Sequence, residues 1–99
     1  MKNTFSEKIY SLLLRIPPGK VVTYKDIAIK LNSKAYQAIG TALSKNKHLV
    51  KVPCHRVIRS SGDIGGYVLG TKKKMKLLKK EGIEIINNRI DLKKYSYKL

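Results

Sequence analysis

Apolar residues recur at helical intervals at the start of the chain. Phe5, Ile9, Leu12, Leu13 and Ile16 fall on one stripe, and Thr4-Phe5-Ser6-Glu7 has the spacing of a capping box. Pro17-Pro18-Gly19 must end that helix, because neither proline can donate to a continuing ladder. Val21-Val22 is long enough only for a strand fragment. Thr23 can cap a second helix with Asp26 at its third position, and Ile27, Ala28 and Leu31 give that helix an apolar side. Asn32-Ser33 breaks it, with Ser33 as the next cap. A third helix is predicted from about Lys34 to Leu43, with Ala35, Ala38, Ile39, Ala42 and Leu43 near one stripe. Gly40 inside it costs about 1 kcal/mol against Ala, which a close approach by another backbone would explain.

The second half alternates turns with short apolar runs. Pro53-Cys54-His55-Arg56-Val57-Ile58 reads as a short buried strand or extended segment, Arg59 to Asp63 as a turn, and Gly65-Gly66 as a joint. A fourth helix is predicted over Thr71–Lys80, with Met75, Leu77 and Leu78 inward, its six lysines mostly outward, and Gly82 at C′. Ile83–Ile86 and Arg89–Leu92 flank Asn87-Asn88 as a C-terminal hairpin would, and the tail from Lys93 to Leu99 has few anchors and is expected to fray. The pattern predicts one mainly helical domain over 1–99 with short strands, a winged helix-turn-helix-like core at about 4–86, and a small hairpin and tail at 83–99.

Length and charge narrow the function. The chain has 99 residues, with 22 Lys and Arg against 6 Asp and Glu, a net charge of +16. Such an excess exceeds what solubility needs and repels itself, so a polyanionic partner is expected. Nucleic acid is favoured over an anionic membrane or a protein. Two short helices across a tight break look like a helix-turn-helix, or an ordinary helical hairpin in a core. No stretch reaches the roughly 18 apolar residues of a membrane span, and the first twenty residues lack a signal-peptide pattern. One Cys excludes an internal disulfide, and Cys54, His48 and His55 are too few and too close for a usual zinc site. The chain is read as intracellular, monomeric, and free of metal and cofactor.

Candidate chemistry lies at Cys54. A thiolate is a nucleophile, and a neighbouring imidazole and guanidinium favour it. A lone intracellular Cys is otherwise an inert buried hydrophobe. In an extended segment Cys54 and His55 would point to opposite faces, so a relay needs a bend or a bridging water. Asp63, Glu81, Glu84 and Asp91 could each orient His55, and spacing does not choose among them.

Pro53-Cys54-His55-Arg56-Val57 resembles the active-site motif of the O6-alkylguanine-DNA alkyltransferases, the methylated-DNA–protein-cysteine methyltransferases. Pro18 to Tyr24 resembles the entry to that family's helix-turn-helix. Lys34-Ala35 and Ala38-Ile39-Gly40 resemble its recognition helix. Ser60-Ser61-Gly62 with Gly66-Tyr67 resembles its active-site loop, and Leu77-Leu78 with Glu81-Gly82 its last helix. The resemblance covers about residues 4 to 86 and the family's catalytic domain alone, so a single-domain protein without the family's separate N-terminal domain is expected. It implies minor-groove binding of duplex DNA, rotation of the damaged guanosine out of the stack, and a single, irreversible alkyl transfer from O6-alkylguanine to Cys54, extending to O4-alkylthymine.

The resemblance also implies roles. His55 would activate Cys54 through a bridging water and Glu81 would hold His55. Asn46 would brace the turn, and Tyr24 would help rotate the target phosphate and donate to the base. Leu43, Val52, Pro53, Val57, Tyr67 and Val68 would form the base pocket. Thr23, Tyr24, Lys34, Ala35, Tyr36, Gln37, Ala38, Gly40, Arg56 and Ser60 would contact DNA. The implied location is cytoplasmic with the nucleoid, or nuclear in a eukaryote. Three departures stand out: Gln37 where many members intercalate an Arg, Tyr36 where a small residue is usual, and Val68 in place of a hydroxyl donor. The competing readings are a non-catalytic alkyltransferase-like lesion binder, a class that lacks the Cys, and a winged-helix regulator with no role for Cys54 or Glu81.

Overall fold

The structure is a computed structural model and describes residues 4–47 and 51–99; His48, Leu49 and Val50 lie outside the described residues. Helix α1 (Phe5–Leu13) starts where predicted, with the Thr4 hydroxyl accepting from the Glu7 amide at 3.1 Å. Strand β1 (Val22–Thr23) leads directly into helix α2 (Tyr24–Lys30). Thr23 and Asp26 form a full capping box, each side chain accepting from the other's backbone amide at 3.0 Å. At the far end Asn32 takes the left-handed conformation at φ 53°. The Ser33 amide then reaches the Ala28 carbonyl and the Asn32 amide the Ile29 carbonyl, a Schellman end that turns the chain sharply.

Helix α3 (Tyr36–Ser44) begins two residues later than its sequence predicts. Ser33 does not cap it. The Ser33 hydroxyl accepts from the Ala35 amide at 3.0 Å, and that local turn delays the first helical residue. The Tyr10 hydroxyl donates to the Ala42 carbonyl at 2.6 Å and ties α3 to α1. Beyond a 3₁₀ turn at Cys54–Arg56, strand β2 (Val57–Ile58) pairs in parallel with β1, Val22 opposite Val57 and Thr23 opposite Ile58. The Cys54 segment is thus a bend followed by a strand rather than one extended run.

Helix α4 (Thr71–Lys80) has its predicted bounds. Gly82 at φ 90° closes it, with the Ile83 amide on the Leu78 carbonyl and the Gly82 amide on the Lys79 carbonyl. The predicted hairpin is present as its turn. Asn87 and Asn88 both have positive φ, as a two-residue primed turn requires, and Ile86 and Arg89 form one rung. Arg89 then bridges to Asp63 instead of extending the hairpin. The chain continues into helix α5 (Leu92–Tyr95), which the pattern did not announce.

The tail does not fray. The Val21 amide donates to the Tyr95 carbonyl at 2.9 Å, and the Tyr97 amide to the Val21 carbonyl at 2.8 Å. Two apolar clusters result. The first joins α1, α2 and α3 with Cys54 and Val57, and takes Tyr97 and Leu99 against it; the second joins Val21, Ile58, Ile64, Leu78, Ile83, Ile90 and Tyr95. The sheet runs between them, since Val22 and Val57 belong to one and Val21 and Ile58 to the other. Among the described residues no helix is long and apolar enough to cross a membrane.

Candidate active site

Pro53 sets the nucleophile. At φ −80° and ψ 66° it forms an inverse γ-turn, and the Cys54 amide donates to the Val52 carbonyl at 2.8 Å. The same carbonyl accepts from Asn46 Nδ2 at 2.8 Å, so Asn46 at the end of α3 pins the turn. The Arg56 amide then returns to the Pro53 carbonyl at 3.0 Å, which makes the 3₁₀ turn. Cys54 is buried at the edge of the first core.

Among the four candidate carboxylates, the fold brings Glu81 to His55. Glu81 is the C-cap of α4, and the Gly82 turn holds it there. Its Oε2 lies 3.0 Å from His55 Nε2. Arg56 grips the same carboxylate with both forks, Nε to Oε1 at 2.9 Å and NH2 to Oε2 at 2.6 Å, while its NH1 donates to the Ile16 carbonyl at 2.7 Å. Burial pushes the Glu81 carboxyl up, yet the hydrogen bonds from Arg56 and His55 and their charges outweigh it and hold it below its ordinary range. Glu81 is therefore an anion. It fixes the tautomer that carries its proton on Nε2 and leaves the Nδ1 lone pair free. Nδ1 is buried and has no protein partner among the described residues, as is the Tyr67 hydroxyl, whose ring meets the His55 ring edge-on at 6.4 Å. Burial holds the imidazole below its ordinary pKa despite Glu81, so it is neutral at pH 7.

Lys74 is the residue that the sequence pattern missed. It sits on the inward side of α4 and is 0% exposed. Its Nζ donates to the Val57 carbonyl at 2.7 Å and the Gly66 carbonyl at 3.0 Å, joining the segment after Cys54 to the loop before Tyr67. Burial lowers its pKa from 10.5 to about 8, a shift that the charges of Cys54 and Asp63 oppose. Burial likewise pushes the Cys54 thiol up, against a hydrogen bond from Asn46 and the Lys74 charge. The thiol is protonated at rest, with a neutral imidazole and a buried ammonium available to ease its ionisation. Only the extra lysine on an otherwise apolar side of α4 could have signalled this.

A cavity of about 310 Å³ opens at Cys54, lined by Tyr24, Gly40, Leu43, Ser44, Gly66, Tyr67 and Val68. Three expected wall residues lie elsewhere. Val57 is packed in the first core with its carbonyl on Lys74, Pro53 is buried within the turn, and half-buried Val52 packs against that core. Gly40, Ser44 and Gly66 line the cavity instead. Gly40 faces open space, so its missing Cβ leaves room rather than relieving an internal clash.

Outside the cavity, a groove along α3 is lined in part by Lys34, Ala35, Tyr36, Gln37 and Ala38. A smaller cleft of about 340 Å³ joins Tyr24, Lys25, Tyr36, Arg59, Ser60 and Ser61. Tyr24 is its common wall with the cavity. The cleft has two cations and four hydroxyls and no carboxylate, which suits a phosphate. Two residues expected to contact DNA are engaged within the protein. The Arg56 guanidinium is turned inward onto Glu81 and Ile16, and the buried Thr23 hydroxyl is engaged as the α2 cap. Arg59, exposed and without an ion pair among the described residues, lines that cleft instead. Among the described residues no three His, Cys, Asp or Glu converge to hold a metal ion.

The geometry defines a helix-turn-helix domain with a buried, assisted cysteine beside the recognition helix. Residues 4–83 match the family model "6-O-methylguanine DNA methyltransferase, DNA binding domain", and the chain belongs to this family. A bifunctional methyltransferase/endonuclease from Picrophilus torridus is 49% identical over 90% of this chain and 30% of its own length. A methylated-DNA–protein-cysteine methyltransferase from Saccharolobus islandicus is 49% identical over 82% and 52%. The chain thus spans about half, or less, of these relatives. Among solved structures, S. pombe Atl1 in complex with damaged DNA containing O6-carboxymethylguanine aligns over 100% of this chain and 99% of its own, with TM-score 0.85 and 29% identity. Mycobacterium tuberculosis OGT in complex with DNA aligns over 82% and 51%, with TM-score 0.76 and 36% identity.

Proposed function

We propose that the protein repairs duplex DNA by taking the alkyl group of O6-alkylguanine onto Cys54. The observation that carries this reading is Cys54 lining a cavity of about 310 Å³, followed directly by His55 paired with Glu81 and within electrostatic reach of Lys74. The α3 groove would lie on the minor groove, and the target nucleotide would rotate out of the stack into the cavity. Tyr36 or Gln37, both exposed on α3, would fill the vacated stack.

Chemically, the thiol proton passes through a bridging water to His55 Nδ1, and Glu81 stabilises the imidazolium that forms. The thiolate sulfur attacks the alkyl carbon, the C–S bond forms as the C–O6 bond breaks, and the electron pair stays on the guanine, which gains a proton through water as the imidazolium gives up the one it took from the thiol. Tyr24 donates to the base as charge develops there. The product is repaired guanine and a thioether. No group in the cavity can cleave a thioether, so each molecule acts once. Val68 offers no hydroxyl to the lesion oxygen.

Incubation with a duplex holding one O6-methylguanine tests this by intact mass. One methyl group should appear on Cys54, with repair stopping at one equivalent. Cys54→Ala should bind the lesion without transfer, and His55→Ala should slow transfer with little effect on binding. A second reading, lesion binding without chemistry, draws support from the whole-chain likeness to Atl1. Wild-type protein that binds the lesion but gains no mass establishes that reading, and repeated turnover rejects the single-use mechanism.

A further inference from the structure

Helix α4 carries six lysines in ten residues and no acidic side chain. Lys74 is buried, and the other five are exposed. At about 100° per residue, Lys72, Lys73, Lys76, Lys79 and Lys80 fall within about 120° of arc, opposite the side that holds Lys74 and Leu78. Lys72, Lys76 and Lys80 are spaced i, i+4, i+8, so neighbouring turns repel. A merely solvated helix face interleaves acidic residues at that spacing and gains from them; this one has none. No exposed α4 lysine makes an ion pair among the described residues.

This stripe is separate from the site already described. Neither the cavity, the phosphate-like cleft nor the α3 groove takes a lining residue from α4. Helix α3 packs on α1 and α2, whereas α4 packs on the nucleophile turn and the second core. From Lys72 to Lys80 the stripe runs about 12 Å, enough to span successive phosphates of one strand.

We propose that the α4 stripe is a second, sequence-independent DNA surface, which holds another duplex segment while α3 engages the lesion. The proposal rests on the reading of α3 as the lesion-binding face. The chemistry of the stripe selects nucleic acid. Lysines are flexible point charges that neutralise phosphates without reading bases. Protein interfaces are depleted in Lys and enriched in aromatic residues and Arg, which the stripe lacks. A membrane-lying helix would present an apolar face to the lipid, but the apolar side of α4 is buried in the core. A two-site protein could stay on DNA while one site releases, which suits a molecule that must scan a long polymer for rare lesions.

The test uses two short duplexes, each just over one helical turn, with Cys54→Ala in both proteins compared so that the lesion is not consumed; wild type here denotes the unaltered stripe. One holds O6-methylguanine and a donor dye, and the other is undamaged with an acceptor dye. Wild-type protein at low salt should bring them together, seen as energy transfer, with the second duplex released at a log–log salt slope of about −4. The quadruple variant K72Q/K76Q/K79Q/K80Q should lose at least tenfold in affinity for the second duplex. It should keep its affinity for the lesion duplex and melt no lower than wild type, since like charges have been removed. Equal energy transfer in wild type and variant overturns the proposal. So does a parallel loss of lesion binding, which would make the stripe part of one continuous footprint. Lysine-dependent binding of phosphatidylserine vesicles without any duplex pairing assigns the stripe to membranes and likewise overturns it. If neither protein prefers the lesion duplex but wild type alone pairs undamaged duplexes, the repair reading fails and the stripe stands.

Discussion

An ammonium group sealed from water is costly unless carbonyls or anions surround it. Lys74 meets two carbonyls and lies within electrostatic reach of Cys54, and burial still lowers its pKa from 10.5 to about 8. Between these values the unfolded chain binds more protons than the folded one, so the contribution of Lys74 to stability rises with pH. In a Cys54→Ala background, free of thiol titration, the stability difference between Lys74 and Lys74→Met should grow from pH 8 to 10. The growth should be on the order of 1 kcal/mol per pH unit, read from urea midpoints. With Cys54 present, Lys74→Met removes a cation from beside the thiol, so the pH profile of iodoacetamide modification should move upward. An unmoved profile would show that Lys74 braces the loop and does nothing for the thiolate.

The element scale shows what the pattern of residues makes legible. Helices α1 and α4 could be read because their caps and stops are local: Thr4 with Glu7, the prolines after Leu13, and Gly82. The cysteine motif was likewise legible, because its residues are consecutive. The partner of His55 was not. Glu81 reaches it across 26 positions, and that choice is made by where α4 docks. Lys74 was misread because polarity ranks a lysine as outward, although its helical position is on the apolar side of α4 and two carbonyls receive it there. The fraying tail was misread because it is held by backbone bonds to Val21, far away in sequence, and because Tyr95, Tyr97 and Leu99 find their apolar partners only once the two cores are assembled. Two changes test these supports. Gly82→Ala forces a Cβ into φ 90° with no neighbouring atom to clash, so it should cost about 1 kcal/mol by strain alone and slow transfer by loosening Glu81. Deleting residues 92–99 removes both partners of Val21 and the buried Tyr95 ring. Unfolding should then occur at clearly lower urea, by several kcal/mol, and an unchanged midpoint would refute the clasp.

Across the whole molecule, a net charge of +16 makes association with any duplex strongly salt-dependent. If the cleft between Tyr24 and Ser61 takes a phosphate, Arg59 carries about one unit of that dependence. Arg59→Gln should weaken binding of lesion and plain duplexes alike and make the log–log salt slope shallower by about 1. Arg56→Gln should leave the slope unchanged and lower the melting temperature instead, because its guanidinium is locked onto Glu81 inside the protein. A reversed result for the pair would move the phosphate contact back to the residue that the sequence motif suggests.

The position of Cys54 inside the first core has an evolutionary corollary. Its side chain is small and apolar in contact, so alanine fills nearly the same space and removes little packing. The α3 groove, the cavity walls and the Tyr97–Leu99 clasp would be untouched by that exchange. On the proposed reading, a lineage could therefore give up the chemistry in a single substitution and keep a folded protein with the same surface for a lesion. On this scaffold the boundary between a consumable reagent and a reusable sensor is one side chain wide.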